Sequence, residues 1–131
     1  MGADENVAIM QRAYDAFNAA DIDTLTELFD ENVAWHLPGQ SSMAKDYEGR
    51  DATLAYFGQI GERTNGTFRA ELQQLFAGAD GRVIGLQRST GERDGKRLDV
   101  SNCIVFELED GKVADGREHF NDLYAWDEFW S

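Results

Sequence analysis

Residues 80–120 read DGRVIGLQRSTGERDGKRLDVSNCIVFELEDGKVADGREHF and decide the fold. Apolar and polar residues alternate along this stretch, and the three Asp-Gly pairs that separate the alternating segments begin at residues 80, 94 and 110. Asp-Gly between alternating segments favours tight hairpin turns, because these turns need residues with positive φ. Residues 68–73 alternate in the same way just before the stretch. The pattern therefore predicts four long consecutive antiparallel strands that end near Phe120.

One polar residue interrupts an apolar stripe in the strand predicted over residues 96–109. Alternate residues from Leu98 to Leu108 share one face, and Asn102 is the polar member of that set. A buried amide must be hydrogen-bonded, so Asn102 either bonds the end of a helix or faces a cavity. We predict that Asn102 lines a substrate pocket.

The first part of the chain has helical periodicity instead. Apolar residues recur at helical spacing over residues 7–17, which predicts a helix with one buried face. Asp21 or Asp23 can cap a second helix that presents residues up to Phe29 to the interior. Residues 33–37 then predict a short strand, because Pro38-Gly39 stops it.

The remaining elements complete a predicted order of α-α-β-α-β-β-β-β in a single domain spanning residues 1–131. Residues 40–47 are polar and predict a loop, a third helix begins near Asp51, and residues 124–130 form an aromatic and acidic tail. Helices grouped ahead of antiparallel strands make an α+β layer. Because long strands bend, we expect three helices to pack on a strongly curved, mostly antiparallel sheet with a concave mouth for a small molecule.

Composition excludes several classes of function. The 131 residues include 25 acidic and 12 basic ones, giving a net charge of −13, which disfavours nucleic acid and anionic membranes as partners. Cys103 is the single cysteine, and two histidines without paired cysteines do not form a metal framework. The first residues lack the pattern of a signal peptide. We therefore expect a cytoplasmic protein with no metal and no cofactor.

Four segments carry a resemblance to a known family: residues 18–21 (NAAD), 33–39 (VAWHLPG), 47–51 (YEGRD) and 122–131 (DLYAWDEFWS). They resemble the SnoaL-like branch of the nuclear-transport-factor-two superfamily, which includes ketosteroid isomerase, limonene-epoxide hydrolase, scytalone dehydratase and polyketide cyclases. The resemblance implies a cystatin-like cone. It also implies a cofactor-free isomerase, cyclase or hydrolase acting by acid–base chemistry on an apolar, carbonyl- or epoxide-bearing substrate. The alternative is a non-catalytic ligand-binding or dimerisation module of the same fold.

The resemblance does not extend to the steroid-isomerising residues. Ketosteroid isomerase uses a carboxylate base with a Tyr and a protonated Asp. The positions that match these three are Ala13, Leu37 and a residue near Ile104, so steroid isomerisation by that set is not expected. Polyketide-cyclase relatives use an acid on the last strand, and Asp122 is the nearest match.

The candidate catalytic residues are His36, His119 and Asp122. Imidazole suits proton transfer near neutral pH because its unperturbed pKa is ~6.5, and a carboxylate orients such a base. The alternatives are a structural role for His36 and a surface location for His119 and Asp122. Because side chains alternate along a strand, either His36 or its neighbour Trp35 lines the interior, but not both.

The candidate substrate-binding residues are Tyr14, Trp35, Phe57 and Asn102. Tyr14 and Asn102 would hold an oxygen atom of the ligand, whereas Trp35 and Phe57 would form apolar wall. Tyr14 could equally be a core residue with its hydroxyl satisfied. The negative charge of the protein favours a neutral apolar molecule over an anionic one.

A homodimer is the expected assembly. The outward face of the two central strands presents four apolar residues between polar positions, and relatives commonly pair sheet to sheet. These residues are Ile84, Leu86, Cys103 and Val105.

Overall fold

The computed structural model describes residues 2–131, which form four α-helices and six β-strands. In chain order the elements are α1 (Ala3–Asn18), α2 (Ile22–Leu28), β1 (Phe29–Leu37), β2 (Lys45–Glu48), α3 (Arg50–Arg63), β3 (Arg69–Ala77), β4 (Arg82–Arg93), β5 (Lys96–Glu109), β6 (Lys112–Phe120) and α4 (Leu123–Trp130). The predicted α+β class is confirmed, and helices α1 to α3 lie against one face of a single sheet.

The sheet has the strand order β2-β1-β6-β5-β4-β3. Every neighbouring pair is antiparallel except β1 and β6, which run parallel. The parallel pair places Trp35 of β1 beside Gly116 of β6, although 81 residues separate them in the chain. This long-range pairing brings the first and last strands of the chain together next to the edge strand β2.

Two of the predicted Asp-Gly turns have the geometry that this dipeptide favours. Asp94 and Asp110 have φ of 49° and 51°, and the glycines that follow each have φ of 78°. The strand pairs close around them at Arg93↔Lys96 and Glu109↔Lys112, so each loop contains only two residues. Positive φ at both central positions is the signature of a type I′ turn, whose twist matches that of the flanking strands.

The sequence prediction is wrong about two elements near the start of the sheet. Residues 45–48 form strand β2, which pairs with β1, although this region was expected to be part of a loop. Tyr47 is buried there and stacks on Tyr56 with ring centroids 4.8 Å apart. Phe29 begins β1 rather than ending the second helix. The four-residue β2 is too short and polar to show a clear alternating pattern.

The C-terminal tail is a fourth helix, which the predicted order lacks. The Asp122 side chain accepts a hydrogen bond from the Ala125 backbone N–H and begins α4. Trp126, Phe129 and Trp130 follow at helical spacing and are almost fully buried. Burying these three rings on one face stabilises a helix only eight residues long.

No helix within residues 2–131 is long and apolar enough to span a membrane.

Candidate functional site

A narrow cavity lies between the helices and the concave face of the sheet. Its volume is about 60 Å³, which is room for roughly four water molecules. Most of its wall is apolar and aromatic, and Trp35 and Phe57 belong to that wall. The polar groups that reach it belong to Tyr14, Trp35, Tyr56, Gln87 and Glu118. A ligand the size of a ring requires some of the lining side chains to move, because engineered cavities that hold benzene measure about 150 Å³.

Glu118 supplies the carboxyl group of the cavity. Its residue is 6% exposed, and its Oε2 accepts hydrogen bonds from Trp35 Nε1 at 2.9 Å and from the Tyr56 hydroxyl at 2.8 Å. No residue in the described range 2–131 donates a hydrogen bond to Oε1. Because both protein donors bind Oε2, the proton of the neutral acid belongs on Oε1.

The environment of Glu118 makes this carboxyl group a proton donor and acceptor near neutral pH. Burial raises the pKa of Glu118 to about 7, and the hydrogen bonds from Trp35 and Tyr56 oppose that rise only in part. Both donors are neutral, so no cation compensates the lost hydration of the carboxylate. Protonated and ionised Glu118 are therefore both populated at pH 7.

A glycine on β6 makes room for one of these donors. A Cβ atom at Gly116 would lie 2.2 Å from the Trp35 ring, so only glycine lets the indole lie flat on β6. Gly116 and Glu118 are two residues apart and share one face of the strand. The indole therefore covers Gly116 and directs its N–H to the Glu118 carboxyl.

The second polar group of the cavity is a hydrogen-bonded chain of four side chains, called here the Tyr14 chain. The Tyr14 hydroxyl donates to Gln87 Oε1 at 2.6 Å, Gln87 Nε2 donates to Ser89 Oγ at 3.0 Å, and Ser89 Oγ donates to Asn102 Oδ1 at 2.8 Å. Asn102 Nδ2 is buried and has no partner. Burial, and then the charge of Glu118, raise the pKa of Tyr14 and keep its phenol protonated.

The sheet register places Glu118 and the Tyr14 hydroxyl on one row across three strands. Glu118 pairs with Ile104, and Ile104 pairs with Gly85. The Tyr14 hydroxyl lies against Gly85, where a Cβ would approach it to 2.5 Å. Two strand spacings, roughly 9.5 Å, separate the backbones of Gly85 and Glu118. The two groups therefore lie on one row of the sheet, on either side of Ile104.

The predicted substrate-binding residues all belong to the interior. Tyr14, Trp35 and Phe57 line the cavity directly. Asn102 is buried on the same face of β5 and connects to the cavity through Ser89 and Gln87.

The three predicted catalytic residues lie away from the cavity wall. His36 is on the outer face, where Nδ1 lies 2.8 Å from Asp46 Oδ1 and Nε2 lies 2.9 Å from Asp115 Oδ1. His119 is exposed on the outer face beside Cys103, and Asp122 caps α4. Burial lowers the pKa of His36, but hydrogen bonds to the two carboxylates outweigh it and leave the pKa raised.

Sequence reasoning did not identify Glu118 or Gln87. Glu118 stands between Arg117 and His119, so it resembles part of a charged surface run. One signal was available, since a glycine inside a strand often marks the close approach of another group. Gly116 and Gly85 mark the sites where Trp35 and Tyr14 lie against the sheet.

No group of three or more His, Cys, Asp or Glu side chains suited to hold a metal ion occurs in the described part of the chain.

Comparison with known proteins agrees with this architecture. The chain is 28% identical to an uncharacterised protein of Mycobacterium tuberculosis H37Rv over 131 residues, covering 100% of both chains. It superposes with a TM-score of 0.97 on Bal32a from a soil-derived mobile gene cassette, with 58% identity and 98% of each chain covered. A nuclear-transport-factor-two-like protein from Burkholderia xenovorans LB400 gives a TM-score of 0.85 at 20% identity, covering 100% of this chain and 99% of the other.

The resemblance in the sequence is confirmed by the family comparison. The family model of the SnoaL-like domain matches residues 10–116. This range includes every residue that lines the cavity except Glu118 and Trp126. The chain therefore belongs to the family of SnoaL-like domains.

Proposed function

We propose that the protein is a cofactor-free enzyme that moves protons to and from a small neutral molecule bearing a carbonyl or epoxide group. The observation that carries this proposal is the buried Glu118 carboxyl, whose pKa of about 7 lets it act in either protonation state. Among the described residues that line the cavity, Glu118 is the one acidic side chain, and none is Lys or Arg. Membership of the SnoaL-like family supports a small-molecule-binding role for this cavity.

With a ketone, ionised Glu118 acts as the base. Oε1 takes a proton from the carbon next to the carbonyl, the C–H electron pair forms the C=C bond of an enolate, and the carbonyl π electrons move to oxygen. The proton returns to a different carbon in an isomerisation. In a cyclisation the enolate carbon attacks a second carbonyl, and the oxygen of that carbonyl takes the proton from Glu118. Because the reaction needs the carboxylate, its rate rises with pH up to a plateau above about pH 7.

With an epoxide, protonated Glu118 acts as the acid. Oε1–H gives its proton to the epoxide oxygen while the C–O bond breaks, and a water oxygen bonds to the carbon that is released. The water then loses a proton to the carboxylate and restores the acid. Because this reaction needs the protonated form, its rate falls as the pH rises through about 7.

Two small neutral molecules, each built on a single five-membered ring, test the proposal. We would follow deuterium uptake into cyclopentanone in D₂O and hydrolysis of cyclopentene oxide by NMR, for the wild type, Glu118→Gln and Glu109→Gln. Glu109 is an exposed acid on the neighbouring strand β5 and serves as the matched control. We expect Glu118→Gln to lower the catalysed rate of at least one reaction by roughly 100-fold or more, with no change for Glu109→Gln.

The alternative function is a non-catalytic ligand-binding module, and the small volume of the cavity, about 60 Å³, is the observation that favours it. In that case the probes bind to the wild type and to Glu118→Gln, and neither protein accelerates either reaction above buffer. That outcome would reject the enzymatic proposal and retain the module.

We also propose a homodimer formed through the outer face of the sheet. Phe76, Ile84 and Leu86 are 47%, 37% and 37% exposed, and the register places Phe76 beside Ile84 on adjacent strands. Exposed apolar patches of this kind mark interaction sites, and a second copy offers the same patch in a two-fold arrangement. Sedimentation should give about twice the chain mass of 14.7 kDa, and Leu86→Glu should give the monomer. A wild type that sediments as a monomer at micromolar concentration contradicts the proposal.

A further inference from the structure

Every member of the Tyr14 chain can both donate and accept a hydrogen bond. Tyr14 and Ser89 contribute hydroxyl groups, and Gln87 and Asn102 contribute amides. In the direction described above, each group donates to the next one away from the cavity. The Tyr14 hydrogen then points to Gln87, and the chain ends with the buried Asn102 Nδ2 unpaired.

The same four side chains can be hydrogen-bonded in the opposite direction. Rotating each amide by half a turn exchanges its nitrogen and oxygen and leaves all other heavy atoms in place. Asn102 Nδ2 then donates to Ser89 Oγ, Ser89 donates to Gln87 Oε1, and Gln87 Nε2 donates to the Tyr14 oxygen. The separations of 2.8 and 3.0 Å suit this direction as well. The 2.6 Å separation between Tyr14 and Gln87 is typical of a hydroxyl donor, so it must lengthen by a few tenths of an ångström when the Gln87 amide donates.

Reversal changes what the chain offers to the cavity. The buried Nδ2 gains an acceptor, and the atom left without a partner is a carbonyl oxygen, a less unusual deficit than a buried N–H. The Tyr14 hydrogen is released from Gln87 and can donate into the cavity. In the first direction, by contrast, the Tyr14 oxygen has a free lone pair and can only accept from a ligand.

We propose that the Tyr14 chain runs in either direction and that the ligand selects it: a carbonyl oxygen selects the direction in which Tyr14 donates, and a hydroxyl selects the other. This inference rests on the proposed function and narrows the substrate class. The ligand carries a neutral carbonyl oxygen at Tyr14 and an acidic C–H at Glu118.

A reversible chain suits the proposed chemistry because proton transfer changes the oxygen that it holds. When Glu118 removes a proton from the ligand, negative charge develops on the carbonyl oxygen of the ligand. A hydrogen-bond donor already placed at that oxygen stabilises the charge without reorganisation. If the product is an enol, its hydroxyl donates to Tyr14 and the chain returns to its first direction. The row of Gly85, Ile104 and Glu118 places the two groups two strands apart on the same face of the sheet.

Three matched probes separate the two directions. Cyclopentanone only accepts a hydrogen bond, cyclopentanol also donates one, and cyclopentane does neither. We expect Tyr14→Phe to weaken binding of the ketone and the alcohol roughly tenfold each, with cyclopentane unchanged. If the chain is fixed in the first direction, the alcohol alone loses affinity, and that result overturns the inference. A chain fixed in the second direction would weaken both ligands as well, so the position of the Tyr14 hydrogen in the ligand-free protein must exclude it.

Neutron diffraction from the deuterated wild type tests the same point without a substitution. In ligand-free crystals we expect the O–D bond of Tyr14 to point partly to Gln87 and partly into the cavity, and with cyclopentanone bound we expect it to point to the ketone oxygen. A Tyr14 deuteron that points to Gln87 in both crystals, or into the cavity in both, overturns the inference.

The two proposals fail in different ways. Deuterium uptake that depends on Glu118, together with ketone binding that is insensitive to Tyr14→Phe, rejects the reversible chain and leaves the enzyme. Ketone binding that depends on Tyr14 without any deuterium uptake rejects the enzyme and leaves the chain.

Discussion

Strands β1 and β6 meet in two contacts of similar geometry that lie on opposite faces of the sheet. On the inner face Trp35 donates to Glu118, and on the outer face His36, the next residue in the chain, pairs with Asp115. Each contact joins one aromatic nitrogen to one carboxyl group at 2.9 Å. The geometry is therefore nearly the same on both faces.

The chemistry of the two contacts is opposite because the partners differ in charge and in access to water. The indole is neutral and Glu118 is buried, so desolvation dominates and raises the pKa of the carboxyl to about 7. The His36 imidazole can take up a proton and lies between two carboxylates near the surface, which stabilise its charge and raise its pKa. The inner contact holds a buried carboxyl group whose pKa is raised. The outer contact connects strands β2, β1 and β6.

The largest expected effect is on the pH dependence of stability set by the inner contact. The pKa of Glu118 is about 7 in the folded protein and about 4.5 in the unfolded chain, so between these values the folded state binds more protons. The free energy of unfolding therefore falls by a total of about 3 kcal/mol as the pH rises from about 4.5 to about 7. Above about pH 7 it no longer changes with the protonation of Glu118.

Glu118→Gln should remove this slope and leave the variant more stable than the wild type at pH 8. Urea denaturation at several pH values measures it, with Glu109→Gln as the control that keeps the wild-type slope. A wild type whose stability does not fall across this range would mean that Glu118 is ionised throughout.

A smaller effect follows from filling the space under the indole. In Gly116→Ala the new methyl group overlaps the Trp35 ring, so either the indole or the strand must move. We expect a loss of about 2 kcal/mol in the free energy of unfolding. Gly58→Ala on α3 is the control, because its Cβ meets no atom within 4 Å and should stabilise the helix by roughly 0.5–1 kcal/mol.

The outer contact should respond to pH in a higher window. Because the folded-state pKa of His36 is raised, its charged contacts contribute fully below the unfolded value of 6.5 and are lost as the pH rises through the folded value. His36→Gln should cost about 1–2 kcal/mol at pH 5.5, and clearly less at pH 9. His119→Gln, on the same face but exposed, should match the wild type at both values. Equal losses for His36→Gln at both pH values would show that its charge is not involved.

These two contacts also show how far the sequence alone could predict the site. The alternation of β1 established that Trp35 and His36 face opposite sides, and the Asp-Gly pairs predicted the hairpins, because both signals are local. Which side is interior depends on the parallel pairing of β1 with β6, which no short-range pattern encodes. For the same reason the sequence does not distinguish Glu118 from its charged neighbours, because its hydrogen bonds to Trp35 and Tyr56 depend on the tertiary structure.

The end of β6 was also difficult to interpret from the sequence. Asp122 matches the acid of polyketide-cyclase relatives in its approximate position, but its side chain accepts the Ala125 N–H and begins α4. A cap and a catalytic acid require the same residue type, so composition does not separate them. The aromatic residues that follow have the spacing of one helix face, and the structure shows that this face is buried.

The smallest expected effect separates the two interpretations of Asp122. Asn caps helices about as well as Asp, whereas Ala does not. If Asp122 is a cap, Asp122→Asn should leave stability and deuterium uptake near the wild type, and Asp122→Ala should cost about 1 kcal/mol. If it is a catalytic acid, Asp122→Asn should lower the catalysed rate about as much as Glu118→Gln does, because the amide cannot exchange a proton. Since Trp126 of α4 lines the cavity, loss of the cap should weaken cyclopentanone binding slightly without moving the pH profile. A shifted pH profile of deuterium uptake in Asp122→Asn would instead indicate that Asp122, and not Glu118, is the catalytic acid.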